Sequence, residues 1–88
     1  MHLLELAPDL VSLEFDPGEM PVVRQRLARL GRVSEARHAS YSVLTVAGEQ
    51  FLHENEWGDP CLIAQSAAGS ALLRFVAVAA EQPDRLAS

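Results

Sequence analysis

Apolar and polar residues follow two rhythms along this chain, and each predicts a different kind of element. From Leu10 the period is two: Val11, Leu13 and Phe15 share one side, with Ser12, Glu14 and Asp16 on the other. That alternation predicts a half-buried strand, while Pro8 leaves a short helical turn over the same residues as the rival reading. Leu3 to Leu6 is apolar but short, and Pro8 limits whatever it forms. The rhythm changes at Asp16-Pro17-Gly18-Glu19. Asp16 is placed to accept from exposed amides at a helix start, Pro17 suits the first helical position, and Glu19 stands where a capping box puts its acid. Met20, Val23, Leu27 and Leu30 then recur at three- and four-residue spacing, one stripe of a helix. Pro21 is tolerated because no intrahelical donor is lost in the first turn. Gly31 is placed to end the helix in a left-handed conformation. The pattern predicts a helix over about 17–30.

Arg32 to Ala39 reads as a polar strand whose charges suit a sheet edge. Tyr41 to Ala47 is rich in strand-forming residues, Ala47-Gly48 supplies a tight turn, and Glu49 to Glu56 continues as the returning strand. Trp57-Gly58-Asp59-Pro60 forms the next turn, and Cys61 to Ala64 is a short apolar strand. In this register Ser42 faces His53, His53 faces Leu62 and Glu54 faces Cys61. Ser66 is a good N-cap for a helix over about 67–82, which Pro83 stops. Gly69 costs that helix about 1 kcal/mol relative to alanine. Leu72, Leu73, Phe75, Val76 and Val78 spread around it rather than along one stripe. A helix apolar on several sides needs cover on several sides, and one small sheet supplies one.

The fold class that follows is α+β: a small antiparallel meander of three to four strands packed by two helices, at about 17–30 and 67–82. The Leu10–Phe15 segment adds a further N-terminal strand if it is extended. The 88 residues make one domain, with a short frayed tail from about 84. The order helix, strands, helix resembles that of the double-stranded RNA-binding domain. The resemblance ends at element order, because that module grips phosphate with a lysine-rich start to its second helix. Here that start is Ser66-Ala67-Ala68-Gly69, and the chain has no lysine.

Charge sharpens the exclusions. Net charge is −5, yet positions 24, 26, 29, 32 and 37 are all arginine, while residues 1–19 and 38–65 are acidic. An arginine-rich helix face in an acidic protein is read as solvated and neutralised by its neighbours, and no nucleic-acid partner is expected. No apolar run reaches the roughly 18 residues of a membrane helix. The start, MHLLELAPD, lacks a basic segment before its apolar residues, so a cytoplasmic location is expected. One cysteine excludes an intrachain disulfide.

The candidate chemistry gathers at one turn, where His53, Glu54, Glu56, Trp57, Asp59 and Cys61 fall close in sequence. His53, Cys61 and a carboxylate from Glu54, Glu56 or Asp59 are ligand types that zinc accepts, but the spacing matches no zinc motif. The alternation also sends His53 and Cys61 to opposite faces. Glu54 and Glu56 share a strand face, the more common fate of which is solvent exposure. Trp57, flanked by Glu56 and Asp59, is either a lid on the core or an anchor for a partner. The sequence therefore points to a non-enzymatic module that self-associates as a homodimer or binds another protein. Leu73, Trp57, Glu56 and Asp59 are its candidate contact residues. A small metal-dependent or Cys/His enzyme using His53, Glu54, Asp59 and Cys61 is the first alternative, and a small-ligand-binding domain is the second.

Overall fold

A computed structural model describes residues 1–56 and 59–81 of the chain, and the side chains of these except at positions 56, 59 and 79–81. It is α+β. Strands β1 (His2–Ala7) and β2 (Leu10–Glu14) form an opening hairpin, and a 3₁₀ turn at Pro17–Glu19 leads into α1 (Met20–Ala28). Strands β3 (Ser34–Arg37), β4 (Ser42–Val46), β5 (Glu49–Glu56) and β6 (Asp59–Ala64) follow as a meander, and α2 (Ala67–Glu81) comes last. All six strands join one antiparallel sheet in the order β1-β2-β6-β5-β4-β3.

The sheet is thus larger than the three to four strands that the pattern predicts. The difference lies in a long-range pairing: β2 docks on β6 with Leu13 opposite Leu62. Val11, Leu13 and Phe15 thereby extend the apolar face of the meander, and burial of that face favours the strand over the helical turn. The β1 strand then covers the remaining edge of β2, with Pro8 in the turn between them.

The first helix also differs from the 17–30 expectation in how it begins and ends. The Asp16 amide donates to Glu19 Oε1 at 2.9 Å, the reciprocal half of a capping box, but the turn it closes is 3₁₀. At the other end Arg29 and Leu30 donate to carbonyls three residues back, at 3.2 and 2.9 Å, so the helix tightens as it stops. Gly31 does not take the left-handed conformation. Among the described residues positive φ occurs at Ala47 (52°) and Gly48 (81°), the pair that makes the β4–β5 turn. What Gly31 provides is proximity: a Cβ there would lie 3.3 Å from the Ala47 nitrogen.

The helices cover one face of the sheet, and one core lies between. Leu13, Val23, Leu27, Leu44, Val46, Phe51, Leu62, Leu73 and Val76 have no solvent exposure. Helix α2 packs over β1, β2, β6 and β5 and against α1. Ser66 caps it as expected, accepting from the Gly69 amide at 2.9 Å while its hydroxyl donates to Glu49 at 2.6 Å. Gly69 has a structural return for its helix cost, since a Cβ would press within 3.4 Å of the Phe51 ring. Farther along, buried Ser70 accepts from the Val11 amide at 3.2 Å and donates to the Asp9 carbonyl at 2.7 Å. Those bonds pin the helix to the β1–β2 hairpin.

The opposite face of the sheet is uncovered among the described residues. Register places Leu4, Ser12, Ile63, Leu52, Val43 and Ala36 in a single row across all six strands of this open face.

Candidate functional site

The turn-region residues of the sequence reading are divided by the sheet. His53 pairs with Ser42 on one side and Leu62 on the other, so it points toward the helices. Glu54 pairs with Cys61 on the open face, as the alternation predicted. The sheet therefore stands between His53 and Cys61, the two best ligands of the zinc alternative. Among the described residues no three His, Cys, Asp or Glu side chains cluster to hold a metal ion. Burial pushes the Cys61 thiol up from its ordinary value of 9.0, which leaves it the neutral form and a poor nucleophile at neutral pH. The side chains of Glu56 and Asp59 and the whole of Trp57 lie outside the described residues.

A second grouping does form around His53, from residues whose charge pattern alone predicts a solvated face. Alternation along β3 puts Glu35 and Arg37 on the helix side, opposite Leu44 and Ser42. This corner lies beyond the strands on which α2 packs, and α1 brings Arg24 to it. Arg24 Nη2 donates to Glu35 Oε1 at 3.1 Å, and Arg37 Nε lies 3.9 Å from Glu35 Oε2. Burial works to raise the Glu35 pKa, but the Ser42 hydroxyl and the Arg24 guanidinium outweigh it and hold the carboxyl below its ordinary 4.5. At the β3–β4 turn His38 and Tyr41 stack with ring centroids 4.7 Å apart and planes 18° from parallel. Together these groups line an open cleft of about 360 Å³.

His53 closes the inner wall of the cleft, half-buried and stacked on Phe15 at 6.5 Å. Burial lowers its pKa below 6.5, and the Arg24 charge adds to this while Glu35 opposes it. The sign of the consequence is fixed: the unfolded chain takes up this proton at higher pH than the folded one. Stability from His53 is therefore complete above 6.5 and is lost as pH falls through the lowered value. The urea midpoint should fall across that window, and His53→Gln should remove this slope. An identical slope in both proteins would refute the assignment. The two carboxyls held below 4.5, Glu19 and Glu35, act in a separate and more acidic window.

The third site feature is the outer side of α2. Leu73, Val76 and Ala77 are buried, so Leu73 is a core residue and is not on the surface that a partner meets. Turning half-way round the helix brings Ala68, Ala71, Phe75 and Val78, all exposed, Phe75 to 58% and Val78 to 53%. At 3.6 residues per turn these four lie along one stripe facing away from the core. On the open face of the sheet Val43, Leu52 and Ile63 are half-exposed, while Leu4 at its β1 end is exposed to 46%.

Comparisons with protein-family models, with curated proteins and with solved structures find no match to this chain.

Proposed function

We propose that the protein is a self-associating interaction module whose outer α2 stripe packs against the same stripe of a second copy. The observation that supports this is the order of residue sizes along the stripe: small at Ala68 and Ala71, large at Phe75 and Val78. Two such helices laid antiparallel about a two-fold axis near position 73 put Phe75 opposite the partner copy's Ala71, and Val78 opposite its Ala68. Every large side chain then meets a small one, so the surface complements itself, as an isologous interface requires. Small residues at the contact also let the helix axes approach within the usual 8–10 Å.

The register is testable by cross-linking in a Cys61→Ser background. Chains carrying Ala68→Cys, mixed with chains carrying Val78→Cys and oxidised, are expected to yield a covalent dimer. Ala68→Cys chains alone should not, since that register sets their sulfurs far apart. Equal cross-linking in both samples would exclude the antiparallel arrangement. Leu52→Lys, on the open face of the sheet, separates the rival surface: it should leave the cross-link yield unchanged.

A further inference from the structure

We propose that the cleft at the β3–β4 corner is a binding site for a small organic oxyanion, a phosphate monoester or a carboxylate attached to a flat ring. The oxyanion would sit between Arg24 and Arg37, with the ring against the Tyr41–His38 stack. The first support is the charge balance. Two guanidiniums share one carboxylate, so the corner keeps a net positive charge within a chain of net charge −5. Glu35 accepts from Arg24 at 3.1 Å and lies 3.9 Å from Arg37, and its role is to hold the two arginines near each other.

The second support is donor supply. A guanidinium presents five N–H groups in a planar fork suited to two oxygens at once. Among the described residues Arg24 spends donors on Glu35 alone, and Arg37 makes no hydrogen bond that meets ordinary geometry. Arg24 is the anchored member, its side chain 38% exposed, and Arg37 stands at the lip, 82% exposed. Burying part of a ligand beside the anchored guanidinium strengthens each charge-assisted bond, because the local dielectric is lower than water's.

The third support is shape. The Tyr41 and His38 rings lie nearly parallel, one flat wall beside the two arginines, and the Tyr41 carbonyl fixes the turn by accepting from the His38 amide at 2.8 Å. A volume of about 360 Å³ suits a ring bearing one anionic group and falls at the small end of known ligand pockets. His53 and Ser42 furnish further polar contacts on the inner wall, at a distance from α2's outer stripe, so ligand binding and self-association do not compete for surface.

The test is a chemical-shift titration that follows the ring protons of His53 and Tyr41, with phenyl phosphate, benzoate and inorganic phosphate as separate probes. Phenyl phosphate or benzoate should produce saturable shifts of both rings, and whichever saturates at lower concentration identifies the anionic group. Inorganic phosphate should bind more weakly, lacking the ring. Arg24→Gln should weaken binding about tenfold or more, the equivalent of losing one charge-assisted hydrogen bond. Arg74→Gln, on α2 and outside the cleft, should leave it unchanged. If Arg24→Gln fails to fold, Arg37→Gln decides, since its side chain is largely in solvent and its loss should still weaken binding several-fold. Linear, non-saturating shifts with all three probes would overturn the proposal, and so would wild-type affinity in the Arg37→Gln variant.

Discussion

Leu73→Glu is expected to abolish the folded state. Leu73 has no exposed surface and belongs to the core formed by β2, β4, β5, β6 and both helices. Burying a leucine side chain stabilises by about 1.5–3 kcal/mol, and that contribution disappears. A carboxylate left in its place adds a penalty of several kcal/mol, reduced but not removed if it takes a proton. At the usual roughly 0.05–0.15 kcal/mol per residue, a chain of this size has about 4–13 kcal/mol in all, so the losses rival the total. Circular dichroism during a urea titration should show no cooperative transition. A variant that unfolds at the wild-type midpoint would mean that the core does not include this helix face.

Two residues along, the same chemistry has a different outcome. Phe75→Glu is expected to leave the folded monomer intact, within about 0.5 kcal/mol, because the position points into solvent. In the proposed dimer the substitution occurs twice, removing a large aromatic contact from each copy and placing two like charges in one small interface. Central aromatic residues of this kind cost about 2 kcal/mol or more each when removed. Two of them correspond to a dissociation constant raised by roughly a thousandfold. Light scattering across a dilution series would show this as a shift from dimer to monomer with an unchanged melting curve. A Phe75→Glu protein that keeps the wild-type mass at every dilution would place the self-association surface elsewhere.

The contrast between these neighbouring positions shows where sequence reading stops. That α2 is apolar on more than one side is legible from Leu72 to Val78. Which side faces inward is not, because both stripes satisfy helical periodicity and the choice depends on the sheet beneath. Leu73 looks like a contact residue for that reason, and the packing of α2 on β2 and β6 makes it core. The β4–β5 hairpin was legible in detail, since turn chemistry at Ala47-Gly48 fixes its register locally and puts His53 opposite Ser42. Glu54 faces Cys61 through the separate β5–β6 pairing, in which Asp59 and Pro60 belong to the strand and not to the four-residue turn that the sequence predicts. The union of β2 with β6 joins segments far apart in sequence, and no local signal announces it. The cleft was hidden for a related reason. Its arginines were visible as a charged segment, yet only the β3–β4 pairing and the position of α1 bring Arg24, Glu35 and Arg37 to the ring of His53.

Whether two copies meet through the outer stripe of α2 can be read from sedimentation equilibrium of the unmodified protein across a range of concentrations. The expected mass is twice that of the 9.6 kDa chain, falling to one chain on dilution. A mass of one chain at every concentration would contradict it, leaving Phe75 and Val78 as exposed apolar residues with no second copy to cover them.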